Sequence, residues 1–210
     1  MSGSDRYDTG TSAEGQYEPG SEGRVLHNKF GITDPEQMEL LEFDRLLLVQ
    51  DEIFTEVSAD QPLTAQDLRE WHRRWLGPVY EWAGRLRTVN LSKQGFPFAA
   101  SDQLARLMFE YQQLCLDRWT PACELDPEML ITGLAECHVE LILIHPFREG
   151  NGRLARLLAN VMALQADEPP LDFTVMEQDP NGYIAAIHAG HSGNLQPMIE
   201  IFSAVLDQSR

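Results

Sequence analysis

The chain has 210 residues, 43% hydrophobic and 23% charged, the balance of a globular protein long enough to build one real core. Its net charge of −17 excludes nucleic acid and anionic membrane as bulk partners, which need a positive field, and demands local cations wherever an anion is held. Three cysteines without a CxxC pair read as reduced thiols of a cytoplasmic protein, and no basic-then-apolar leader or apolar run of about 18 residues marks secretion or a membrane span.

Residues 1–16 are rich in Gly, Ser, Thr, Asp and Glu and hold almost nothing apolar. Such a segment cannot offset its ordering entropy, so it is expected to stay disordered ahead of one domain spanning 17–210. Thr33-Asp34-Pro35-Glu36 combines a capping side chain, a proline for the first turn and an acid where the helix dipole favours one. It predicts a helix to about Thr55, with Met38, Leu41, Phe43, Leu46, Leu47 and Val49 on the apolar face. A second start at Leu63-Thr64-Ala65-Gln66-Asp67 leads into Leu68, Trp71, Trp75 and Leu76 before Gly77-Pro78 closes it. Arg87–Leu91 is β-prone and Ser92-Lys93-Gln94-Gly95 has turn composition. Phe96-Pro97-Phe98-Ala99 returns extended, because proline restricts itself and the residue before it.

Ser101-Asp102-Gln103 opens a helix with Leu104, Leu107, Met108, Tyr111 and Leu114, and Asp126-Pro127-Glu128 starts another that reaches His145. His138 lies two turns before His145; with no third ligand at workable spacing it reads as a packed histidine. The next helix ends near Ala166, ahead of Glu168-Pro169-Pro170. Asn181-Gly182 breaks the chain before a helix bearing Tyr183, Ile184 and Ile187, His188–Gly193 is a polar break, and Pro197–Leu206 is the last helix. The expected fold class is all-α, a helical bundle with one small β-hairpin.

The chemistry concentrates in His145-Pro146-Phe147-Arg148-Glu149-Gly150-Asn151-Gly152-Arg153-Leu154-Ala155-Arg156. Pro146 should stop the preceding helix at His145. Leu154, Leu157, Leu158 and Val161 then mark a new helix, whose first turn carries unpaired N–H groups and partial positive charge, a seat for phosphate. Gly150 and Gly152 let backbone approach an anion closely, and Asn151 is placed to cap the helix or bond a phosphate oxygen. Arg153 and Arg156 sit three apart and add two guanidinium forks. Glu149 is the one carboxylate that Mg²⁺ asks of a protein when phosphates and water fill its other positions. A base stands beside an anion site.

These twelve residues match, at every fixed position, His-x-Phe-x-Asp/Glu-Gly-Asn-Gly-Arg-x-x-Arg, and the chain thereby resembles the Fic family. The resemblance extends from about Tyr17, through Tyr80-Glu81-Trp82-Ala83-Gly84-Arg85-Leu86-Arg87, to Asn194-Leu195-Gln196-Pro197-Met198-Ile199. It implies a protein adenylyltransferase that moves AMP from ATP to a Ser, Thr or Tyr hydroxyl of a target protein. By that resemblance His145 is the catalytic base, a task suited to an imidazole titrating near neutrality, and Glu149 holds Mg²⁺. Gly150, Asn151 and Gly152 form the nest over the α- and β-phosphates, Arg153 and Arg156 hold the pyrophosphate end, and Tyr183 lines the adenine pocket. The hairpin residues Ser92, Lys93, Gln94, Gly95, Phe96, Pro97 and Phe98 form a flap that docks the target, and Phe147 anchors the loop in the core.

The same resemblance keeps alternatives in view. The kinase-like Doc branch, commonly with Lys at the position of Gly152, transfers the γ-phosphate; the intact Gly152 favours AMP transfer. Uridylyl or phosphocholine transfer uses the same motif, whereas a catalytically silent nucleotide-binding module has no need of His145 or Glu149. Many members carry an inhibitory helix, Ser/Thr-x-x-x-Glu-Gly/Asn, whose Glu pairs with the second motif arginine, here Arg156. No segment qualifies: Leu125 follows Thr120–Glu124, Cys137 follows Thr132–Glu136, and Ser203–Asp207 has the shorter acid. The chain therefore resembles stand-alone Fic toxins, with a small antitoxin expected to supply that Glu to Arg156.

Overall fold

The computed structural model describes residues 13–93 and 95–210. Four of the helices begin on side-chain caps. Helix α1 (Pro35–Glu56) is capped by Asp34, which accepts from the Gln37 N–H, and α2 (Ala65–Leu76) opens on a capping box between Thr64 and Asp67. Helix α3 (Leu104–Tyr111) continues through a π turn (Gln112–Leu116) and a last turn (Asp117–Trp119). Next come α4 (Pro127–Ile144), α5 (Asn151–Gln165), α6 (Thr174–Gln178), α7 (Pro180–His191) and α8 (Gln196–Ser209). One antiparallel hairpin interrupts them, β1 (Ser92–Lys93) with β2 (Phe96–Pro97), pairing Ser92 with Pro97 and Lys93 with Phe96. The fold is all-α with a small hairpin, as expected.

The centre is α5, which buries Leu154, Ala155, Leu157, Leu158, Val161 and Met162, and so is covered nearly all round. Helix α4 packs along it, α1 and α2 cover α5 from one side, and α3, α7 and α8 lie against α4. This arrangement sets the α4–α5 corner, which carries the motif, between two supporting flanks.

Several expectations shift. Helix α1 turns Met38, Glu42, Val49 and Ile53 inward, while Phe43 and Leu47 are exposed, together with Leu40 and Leu48. It carries more apolar side chains than one face can hold, and the face that wins includes a carboxylate. In α3 the π turn adds a residue to the helical repeat, which swings Leu114 outward and brings Cys115 and Leu116 inward. The hairpin lies later than the β-prone run: Val89 and Leu91 go to the core, Ser92–Lys93 become a strand, and Gly95 (φ +79°) makes the turn. Gln94 lies outside the described residues. Helix α7 runs unbroken through Asn181-Gly182 and on to His191, because Asp179 caps it by accepting from the Gly182 N–H at 2.9 Å.

The amino-terminal boundary shifts as well. Residues 1–12 of the segment expected to be disordered lie outside the described residues. The rest of it is packed: the Thr88 N–H donates to the Glu14 carboxylate, Arg148 donates to the Glu14 carbonyl, each at 2.9 Å, and His27 donates to the Gln16 carbonyl. No helix among the described residues is long and apolar enough to cross a membrane.

Candidate active site

Helix α4 ends in left-handed backbone at His145 (φ 52°, ψ 58°), whose N–H still donates to the Leu141 carbonyl. Pro146 dictates this exit by denying His145 the right-handed helical region. A non-glycine residue there costs on the order of 1–3 kcal/mol, so its neighbours must hold it. Arg87 does so. Its buried guanidinium donates to the carbonyls of His145 (2.7 Å), Val89 (2.6 Å) and Ala99 (2.5 Å), and its backbone N–H donates to the Pro146 carbonyl (2.9 Å). Sequence reasoning misses this role; the signal available is an arginine set beside an apolar stretch.

The His145 imidazole donates from Nδ1 to the Ile142 carbonyl at 3.0 Å, which puts the ring proton on Nδ1 and the lone pair on Nε2. Phe98 stacks over the ring, centroids 3.7 Å apart and 17° from parallel. His145 is 5% exposed, and burial drives its pKa down to about 3. This corrects the expectation of an imidazole titrating near neutrality. Removal from water penalises the cation, so the basic form is populated across the physiological range.

The loop that follows is held from below. Gly150 (φ +82°) turns the chain into α5, and an added Cβ there would also come within 2.8 Å of Trp75. At Gly152 an added Cβ would meet nothing within 4 Å, so the helix start is open to a ligand on that side. Phe147 is fully buried, as expected, and stacks on His72 at 4.0 Å. His72 also grips the loop: Gly84 N–H donates to its Nδ1 (2.9 Å), which leaves Nε2 to donate to the Glu149 carbonyl (3.0 Å). Sequence reasoning misses His72, whose one signal is its place between Trp71 and Trp75. The Asn151 side chain is buried and clamps Phe147, accepting from that N–H (2.9 Å) and donating to that carbonyl (2.8 Å), which leaves its backbone as the part that faces the cavity.

Both motif arginines already face carboxylates. Arg153 reaches Oε2 of buried Glu42 at 2.7 Å and Oε1 of Glu149 at 3.8 Å, and its guanidinium lies over Trp75 at 4.7 Å. Arg156 pairs with Glu177 of α6 at 2.8 Å. Glu177 fits no Ser/Thr-x-x-x-Glu pattern, so a motif search passes over it. With 61% of its side chain exposed, this pair is worth about 0–1 kcal/mol.

His145, Glu149, Gly150, Asn151, Gly152, Arg153, Arg156 and Tyr183 line one cavity of about 390 Å³, which Lys93, Phe96 and Phe98 close from the flap. Ser92, Gly95 and Pro97 stand outside its lining. The Tyr183 hydroxyl is held by His138 Nε2 at 2.8 Å, and burial raises the phenol's pKa to about 12. His138 is thus a packed histidine, as expected. A wider cleft of about 560 Å³ runs along α2 between Arg69, Arg73 and Arg85, but none of the motif lines it. Among the described residues no three His, Cys, Asp or Glu side chains could hold a metal alone; Glu149 is the one carboxylate among the residues that line the cavity.

Fold and site together define a helical domain in which a buried imidazole shares a cavity with a glycine-opened helix start. The profile of the Fic/DOC family matches residues 62–163. A probable protein adenylyltransferase of Sinorhizobium fredii is 31% identical over 174 residues, covering 83% of this chain and 87% of that protein. The protein adenylyltransferase Fic of Nematostella vectensis is 30% identical over 158 residues, 74% of this chain and 35% of that protein. The chain therefore spans about a third of that relative's length. The BepC protein of Bartonella tribocorum, solved with bound AMPPNP, superposes with a TM-score of 0.70 at 24% identity, covering 86% of this chain and 91% of that one. The chain belongs to the Fic/DOC family.

The buried histidines set the sign of the acid response. Burial holds His72 at about 4 and His138 and His145 at about 3, against an ordinary value of 6.5. Above pH 6.5 neither state carries these protons and no stability depends on them. Between 6.5 and about 3 the unfolded chain takes up protons that the folded chain refuses, so stability falls with pH. Thermal midpoints should decline from pH 7 towards pH 4.5, and His138→Gln should remove part of that slope. An unchanged slope in the variant would refute neutral burial of this histidine.

Proposed function

We propose that this chain is a protein adenylyltransferase that transfers AMP from ATP to a hydroxyl side chain of a target protein. The reading is carried by one juxtaposition: a base presented through Nε2 shares a cavity with a helix start opened by Gly150 and Gly152. The names of the relatives support it. The target hydroxyl passes its proton to Nε2 of His145 as its oxygen bonds the α-phosphorus, and the bond to pyrophosphate breaks. The first turn of α5 and its arginines face the charge that develops. Mg²⁺, held by Glu149 with phosphates and water, would neutralise phosphate charge. Ile142, Tyr183, Ile184 and Ile187 offer the base of the nucleotide an apolar wall. With ATP labelled separately at α and γ, protein should take label only from the α position. His145→Ala should lower transfer about 100-fold or more and leave ATP binding in place. Label from γ alone would replace this reading with phosphoryl transfer.

The flap, in this reading, docks the target by backbone pairing. Because the Phe98 N–H donates to the Leu91 carbonyl, the neighbouring pair Ser92–Pro97 turns its backbone groups outward. Pro97 lacks a donor, so the β1 edge is the better template. Phe98 covers His145 and Phe96 stacks on His188 at 4.6 Å, so changing either ring would disturb the cavity itself. Ser92→Pro is the cleaner probe. It should raise KM for the target several-fold and leave KM for ATP unchanged; a target KM that stays put would remove the docking role.

We also read the chain as the toxin of a toxin–antitoxin pair, acting in a reducing compartment that suits its free cysteines Cys115, Cys123 and Cys137, with the restraining Glu for Arg156 coming from a small partner. Glu177 is too exposed to do this alone, since a doubly charged phosphate competes with a pair worth about 0–1 kcal/mol. Expression without the partner should impair growth in a His145-dependent way, and Glu177→Ala should change KM for ATP by less than about fivefold. Activation well beyond tenfold in that variant would place the brake inside the chain.

A further inference from the structure

The phosphate end of the cavity has a charge balance that the motif does not disclose. Arg153 and Arg156 bring two positive charges, and Glu42, Glu149 and Glu177 set three negative ones within 3.8 Å of them. Glu42 stands apart from the other two. It comes from the middle of α1, more than a hundred residues before the motif, and is 6% exposed. Both of its oxygens are used: Oε1 accepts from the Tyr80 hydroxyl at 2.5 Å and Oε2 pairs with Arg153 at 2.7 Å. Its backbone carbonyl accepts from Trp75 Nε1 at 2.8 Å. Trp75 in turn lies under the Arg153 guanidinium and fills the space beside Gly150.

These contacts restrict Arg153 in two independent ways. The Glu42 carboxylate fixes the direction of the fork, and the indole face fixes its plane. A buried carboxylate is strongly disfavoured without such partners, so the pair is held as a unit. The same pairing neutralises Arg153. A triphosphate entering this end of the cavity therefore meets no net positive charge from the side chains there, in a protein already at −17.

We propose that Glu42 is a positioning residue: it pins Arg153 against Trp75 and, by cancelling its charge, makes nucleotide binding depend on a divalent cation. The activity arm of the test rests on the proposed AMP transfer; the binding arm does not.

Glu42→Gln keeps the size and the hydrogen-bonding capacity and removes the charge. In the full chain, titration with ATP in EDTA should show affinity raised about threefold or more, and the further gain on adding Mg²⁺ should shrink. AMP transfer at saturating ATP should fall about tenfold or more, and Glu42→Gln should cause no further loss in an Arg153→Ala background. Tyr80→Phe removes only the hydroxyl on Oε1. It should lower the transfer rate modestly and leave affinity in EDTA unchanged. A merely structural Glu42 would depress affinity, transfer and thermal stability together, and that outcome overturns the proposal. So do losses that multiply in the double variant, or a variant whose affinity in EDTA does not rise. If the protein transfers a group other than AMP, the proposed function fails while binding in EDTA still judges Glu42.

Discussion

The site depends on a reversal of backbone hand at His145. The left-handed residue lets α4 end against Pro146 and lets α5 begin at Asn151, with its first turn beside the imidazole. The conformation is uphill alone, so it persists only because Arg87 satisfies the carbonyls around it. A guanidinium suits this task where an ammonium would not, since its planar fork meets the carbonyls of Val89, Ala99, Ile144 and His145 at once. These carbonyls belong to the corner and to both ends of the flap. The element that covers the base and the element that presents it are therefore tied to one side chain.

The rest of the support comes from α1 and α2. His72 joins the Gly84 turn to the Glu149 carbonyl, and Trp75 forms the floor under Gly150 and Arg153. Electrostatics follow the same plan. An acidic protein holds its motif arginines by giving each a carboxylate of its own, one buried and one exposed. The two pairs differ in worth because water screens the exposed Glu177 more than the buried Glu42.

How much of this was legible in the sequence follows from the range of the forces. Caps, proline breaks and glycine turns act over a few residues, so the helix starts at Pro35, Ala65 and Pro127 and the whole His145–Arg156 loop were readable. The hairpin was readable as a hairpin, but its register was not. Val89 and Leu91 look like strand residues until a core claims them. Phase along α1 failed for a related reason: apolar residues on several sides leave the inward face to be chosen by partners on α2 and α5. Glu42 on that face was a visible anomaly, yet nothing local says that its partner is Arg153. Glu177 escaped because its pairing depends on how α6 meets α5. The place of His145 at the end of a helix was readable, but its depressed basicity was not, since burial is a property of the packed corner.

The ring of Phe98 over His145 bears on fidelity. A transferase of the proposed kind faces a constant competitor in solvent, because water is a hydroxyl nucleophile at overwhelming concentration. An imidazole roofed by an aromatic ring and only 5% exposed offers water little approach, and its weakened basicity makes it a poor activator of a loosely placed molecule. A hydroxyl carried in on a segment that displaces or slides beside the ring brings its own positioning with it. In such a transferase the flap would act as a filter against wasteful hydrolysis, sparing the nucleotide until a protein substrate is in place.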